Sequence, residues 1–152
     1  MTVVRILVLL FTVLLMPVGS AQQTSEQSDA YKAKEMLVRV SAAVKADRDV
    51  ALKKFTAGED GYRDGDIYPY CFTLDDGMVV TGQTRGNDIR TFKDPTDKPV
   101  GREIFDAAQK SEGEITEIRY FAPRPGNDKS PVAKVSYVTR IGDLGCGVGY
   151  YP

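Results

Sequence analysis

The side chains able to do chemistry are few, and their types exclude more than they offer. The two cysteines, Cys71 and Cys146, can oxidise to one intramolecular disulfide, remain free thiols, or link two chains. They are too few and too far apart to form a zinc motif on their own. Histidine is absent, which removes Ser-His-Asp and Cys-His catalysis, imidazole metal sites and the usual general base near neutral pH. Asp75 with Asp76, or Asp94 with Asp97, could bind a hard cation, but neither group has the ligand spacing of a calcium loop. Asp at such places commonly serves turns, and no metal site is expected. No glycine-rich phosphate loop joins a strand to a helix. Carboxylate pairs alone could support hydrolysis, yet nothing selects a pair. The chain therefore reads as a non-enzyme, with no catalytic residue and no cofactor.

The N-terminus bears on the cysteines. Met1 to Arg5 carries one positive charge, and Ile6 to Val18 is an almost unbroken apolar run. Gly19 and Ala21 place small residues three and one positions before a cut between Ala21 and Gln22, as in a signal peptide. A membrane span needs about 20 apolar residues, and this run is shorter. The expectation is a signal peptide at 1–21, a flexible lead-in at 22–29 and a single domain at 30–152. Such a chain would reside in the periplasm or be secreted, with no membrane span after cleavage. In an oxidising compartment two thiols are most simply read as paired. Lys and Arg number 20 against 21 Asp and Glu, giving a formal net charge of −1. The charges are scattered, which argues against a nucleic-acid partner.

Stepping along the domain, Ala33, Leu37, Val40 and Val44 repeat at helical spacing and form one apolar stripe. Asp47 is placed to cap a second short helix carrying Val50, Ala51, Leu52 and Phe55, ended by Gly58. Ile67 to Leu74 reads as a strand, in which Pro69 requires an edge, a bulge or a strand start. The turn Asp75-Asp76-Gly77 sends the chain back through Met78 to Thr81. Residues 82–99 form a long polar loop of the kind that often carries function, and Val100 to Lys110 can form a helix. Three strands follow, Glu114 to Phe121, Val132 to Arg140 and Leu144 to Tyr151. Alternation puts Val135, Tyr137 and Thr139 on one face of the middle strand and Lys134, Ser136 and Val138 on the other. In the last strand Gly145, Gly147 and Gly149 alternate with Cys146, Val148 and Tyr150. The bare face accommodates close packing, serves as a pocket floor, or does both.

Several pieces in this order are together recognisable: Asp66-Ile67-Tyr68-Pro69-Tyr70-Cys71-Phe72, Asp75-Asp76-Gly77, the loop from Asp94 to Lys98, Pro123 with Pro125, Lys134-Val135-Ser136-Tyr137-Val138, and Cys146-Gly147-Val148-Gly149-Tyr150-Tyr151. The stretch from Asp66 to Pro152 resembles the single Cache domain family of extracytoplasmic sensor modules. The resemblance implies an α+β, PAS-like (profilin-like) fold: a five-stranded antiparallel sheet with a long N-terminal helix. Its first and last strands would be neighbours, able to bring Cys71 to Cys146. It also implies a small-molecule ligand, a carboxylate or an amino acid, held by Tyr70, Phe72, Tyr120 and Lys134 or Tyr137. Gln83 stands where many relatives carry a histidine. Without an output domain of its own, such a module would report to a membrane receptor or sensor kinase. A structural or protein-interaction module of the cell envelope, its pocket filled by Tyr70, Phe72 and Tyr120, is the alternative.

Overall fold

Stretches with hydrophobic periodicity near 3.6 alternate with stretches of period 2, which sorts the chain into helices and strands. The computed structural model describes residues 21–152, with side-chain surroundings from Ser28 onward. The expected signal peptide, apart from Ala21, lies outside the described residues. Helices α1 (Ala21–Ala46), α2 (Arg48–Ala57) and α3 (Val100–Ala108) accompany strands β1 (Tyr68–Thr73), β2 (Val79–Thr81), β3 (Thr116–Pro123), β4 (Pro131–Ile141) and β5 (Leu144–Tyr150). The strands form one antiparallel sheet in the order β2-β1-β5-β4-β3, so the first and last are neighbours.

The segment 22–29, expected as a flexible lead-in, is instead helical, since α1 already begins at Ala21. Once a packed stripe nucleates a helix, each added residue gains a backbone hydrogen bond at little further cost, and Gln and Glu are good helix formers. That stripe is buried: Ala33, Leu37, Val40 and Val44 sit in the core with Met36. Asp47 interrupts the helix in extended geometry (φ −159°, ψ 102°) and accepts a hydrogen bond from Val50 N at 3.1 Å. Gly58 closes α2 at φ 71°, a conformation that costs glycine little. Pro69, the second residue of β1, precedes Cys71, where pairing with β2 begins, and the register shifts between Cys71 and Phe72. Its missing N–H therefore breaks no bond to β2.

Each sheet face has its own core. Cys71, Val135, Tyr137, Cys146, Val148 and Tyr150 pack with α1. Phe72, Ile118, Tyr120, Ala122 and Val138 pack with Ile89, Val100, Ile104, Ala107 and Ala108. Cys71 and Cys146 are register partners, with Cα atoms 4.1 Å apart, and are joined by a disulfide across 75 residues of sequence. Both are fully buried, so the link lies inside the α1 core. A cross-link closing so long a loop removes much of the freedom of the unfolded chain. The double variant Cys71→Ala with Cys146→Ala is expected to lose roughly 4 kcal/mol of stability, read as a lower midpoint in urea unfolding of the purified protein. An unchanged midpoint would show that the link contributes nothing.

Candidate functional site

On the sheet face covered by α3, β5 presents only glycine, and side chains of neighbouring strands take the space. A Cβ at Gly147 would lie 2.5 Å from the Tyr70 ring; at Gly149 it would lie 2.6 Å from Lys134 Cε and 2.9 Å from Ser136 Oγ. At Gly145 it would lie 2.7 Å from Ala108 Cβ and also strike the Phe72 ring. Glycine is thus required for Tyr70 and the Lys134 stem to lie on the backbone. Over this floor is a cavity of about 190 Å3. Tyr68, Tyr70, Tyr120, Ala122 and Lys134 line it from the sheet, Gln83, Thr84, Ile89 and Phe92 from the loop, and Ile104 from α3.

Among the described residues one charged group lines the cavity. Lys134 is 7% exposed. Its Nζ donates a hydrogen bond to the Tyr68 hydroxyl at 3.2 Å and lies 4.9 Å from the Tyr68 ring centre and 4.8 Å from that of Tyr151. Surface cations such as Lys54, Lys98 and Arg124 have acidic partners, whereas Lys134 has none among the described residues. Burial lowers the Lys134 ammonium to about 8, against a weaker opposing pull from Asp66. Asp66 is itself engaged by Arg124 at 2.7 Å. Cation–π contact with two rings partly replaces lost water, but it does not neutralise the charge.

The phenols around the amine are neutral. Burial raises Tyr68 and Tyr70 above the ordinary tyrosine value and pushes Tyr120 up to about 12. Tyr120 and Ser136 share a hydrogen bond of 3.0 Å, while the buried Tyr70 hydroxyl has no partner among the described residues. A lone ammonium among neutral phenols and apolar walls is suited to one small anion: the rings exclude water, and the amine supplies the opposite charge.

Of the expected site residues, Tyr70, Tyr120 and Lys134 meet at this cavity. Phe72 shares their sheet face but is completely buried below α3, its ring 6.0 Å from that of Phe105, and it does not line the cavity. Tyr137 is on the opposite face, stacked on Tyr150 at 5.9 Å with Lys34 Nζ 4.8 Å from its ring. Its separation of three residues from Lys134, an odd number, is enough to send it there. Tyr68, Ile89, Phe92, Ile104 and Tyr151 were not anticipated. Period two extends the Tyr70 face back to Tyr68, and that signal was available in the sequence.

A sequence model described as Cache domain matches residues 21–150. The chain belongs to the Cache domain family. Solved structures share the fold of this Cache domain. A methyl-accepting chemotaxis protein from Vibrio parahaemolyticus RIMD 2210633 superposes with a TM-score of 0.65 at 17% identity, covering 86% of this chain and 93% of the other. A periplasmic sensor domain of a chemotaxis protein gives 0.60 at 22% identity, covering 86% and 94%. A structure described as the basis for carboxylic acid recognition by a Cache chemosensory domain gives 0.60 at 20% identity, covering 86% and 95%. No curated protein matches the sequence significantly.

The unpaired ammonium of this Cache domain sets a pH signature. Folding lowers Lys134 from 10.5 to about 8, so between those values the unfolded chain binds the extra proton and stability rises with pH. Below pH 8 the whole penalty is present. Lys134→Met is therefore expected to stabilise the ligand-free protein at pH 7 by about 1–3 kcal/mol, given 1.36 kcal/mol for each pKa unit, and to remove the rise between pH 8 and 10. Urea unfolding across that range checks both effects; a variant less stable than the parent would contradict the assigned penalty.

Proposed function

We propose that this Cache domain is an extracytoplasmic sensor module that binds a small carboxylate lacking an amino group and passes its occupancy to a membrane receptor or sensor kinase. The observation that carries the reading is Lys134: a buried ammonium facing a cavity and without an acidic partner among the described residues. An unpaired buried charge is unfavourable, and a bound carboxylate would compensate it. Among the described residues no Asp or Glu lines the cavity, so an amino acid's ammonium would be left without a counterion. Pockets for drug-sized ligands run to roughly 300–1,000 Å3, larger than the cavity of about 190 Å3 here. A space of that size suits a short carboxylate. A structural relative concerned with carboxylic acid recognition supports the same class.

The disulfide suits an oxidising compartment, in keeping with the signal-peptide pattern at the N-terminus. The alternative of a structural module rests on a filled pocket, and the space left between Tyr70, Tyr120 and Phe92 counts against it. Thermal-shift titration with propionate, alanine and succinate is the test. Propionate is expected to raise the melting temperature by mass action, with alanine and succinate weaker, and Lys134→Met is expected to abolish the response. Only the protonated amine pairs with the anion, so affinity should hold below pH 8 and fall by about tenfold per unit well above it. No shift across a wide set of short carboxylates would rule the reading out.

A further inference from the structure

The cavity amine has a second chemical capacity beyond its charge. We propose that Lys134 captures small 2-oxo acids covalently, as a reversible imine between Nζ and the ligand's 2-carbonyl carbon, with the Tyr68 hydroxyl relaying protons. This rests on the reading of the cavity as a carboxylate site.

Three observations support it. First, Lys134 offers a primary amine to a half-open, largely apolar cavity, and no acid among the described residues pairs with it. An amine in such surroundings is the usual Schiff-base nucleophile. With the amine at about 8, roughly one molecule in ten carries a free lone pair at pH 7, against fewer than one in a thousand for an ordinary lysine. Second, the Tyr68 hydroxyl is 3.2 Å from Nζ and stays protonated because burial raises it, so it can accept one proton while giving another. Third, the stem is held in place by close packing over Gly149, which limits the positions open to Nζ and favours reaction through orientation.

The step balances without an oxidant or reductant. The Nζ lone pair attacks the carbonyl carbon, and the carbonyl π pair moves to oxygen. Tyr68 passes a proton from nitrogen to that oxygen, giving a neutral carbinolamine. The nitrogen lone pair then forms the C=N bond as the C–O bond breaks, and the hydroxyl departs as water after taking up, through Tyr68, one proton from solvent, which replaces the proton the ammonium gave to solvent when its lone pair became free. Overall, ammonium plus ketone gives iminium plus water, with charge conserved. The iminium remains beside the ligand's own carboxylate, so the ion pair is kept.

Reductive trapping tests this. Full-length protein is incubated with pyruvate and cyanoborohydride, and the adduct is located by peptide mass spectrometry, with propionate binding measured in parallel. A single adduct on Lys134, absent in Lys134→Met, is expected. In Tyr68→Phe the trapping rate should drop by roughly tenfold or more, exceeding any loss of propionate affinity. Propionate binding without an adduct on Lys134, or adducts only on surface lysines, would overturn covalent capture and leave the carboxylate reading standing. Failure of propionate to bind would overturn the carboxylate reading itself. A Tyr68→Phe rate that falls only as far as propionate affinity would remove the relay.

Discussion

One strand, β5, serves two faces of opposite character. Side chains alternate along a strand, so seven residues present Cys146, Val148 and Tyr150 to α1 and three glycines to α3. A slip of one residue against β1 would exchange the two sets. It would push glycines into the α1 core and drive Cys146 and Val148 into Tyr70 and Lys134. The Cys71–Cys146 link joins directly opposed residues and is formed only in the correct register. The bond that stabilises the fold therefore also fixes the cavity floor, although the sulfurs and the cavity are on opposite sides of the sheet.

The cavity draws on that stability. Lys134 is buried on a strand whose neighbours could have supplied an acid, yet Asp66, the carboxylate whose field reaches it, is taken up by Arg124. Arg124 also lies 4.5 Å from the ring of Tyr151, which itself packs on the Lys134 amine. The result is a layered arrangement in which aromatic rings separate the buried cation from the surface ion pair. Groups held at perturbed protonation equilibria in a cleft are characteristic of functional sites. A purely structural core would place an apolar side chain here without loss.

Much of this architecture was legible in local residue chemistry. Asp47 and Gly58 marked both ends of α2 because capping depends on a few adjacent atoms. The β5 glycines announced a close approach for the same reason, and Asp94 served a turn as expected. What escaped the sequence was depth. Phe72 and Tyr70 are both aromatic and share a face, but only the packing of α3 decides which lines the cavity and which lies beneath the helix. Tyr137 was grouped with Lys134 through the family resemblance, whereas simple alternation separates them. Tyr151 lies beyond the last strand, where no period applies. Ile89 and Phe92 sit in a loop whose path depends on distant contacts.

Those contacts explain how a polar loop supplies apolar walls. Ile89 N donates to the Gly77 carbonyl at 2.8 Å. Next to it, Arg90 binds Asp88 at 2.7 Å and the Asp76 carbonyl at 2.6 Å, which pins the loop to the β1–β2 turn. Beyond Phe92, Asp94 accepts from Thr96 N, Lys98 N and Phe121 N at 2.8, 3.2 and 3.3 Å, pinning the loop to β3. Those bonds hold the Asp94 carboxyl below its ordinary value, the Thr96 side chain most strongly. Ile89 and Phe92 thus lie between two polar anchors, one toward each edge of the sheet. In so small a space a shift of one side chain would close the cavity or open it to water, so the turn residues determine the site although none of these anchors touches its interior.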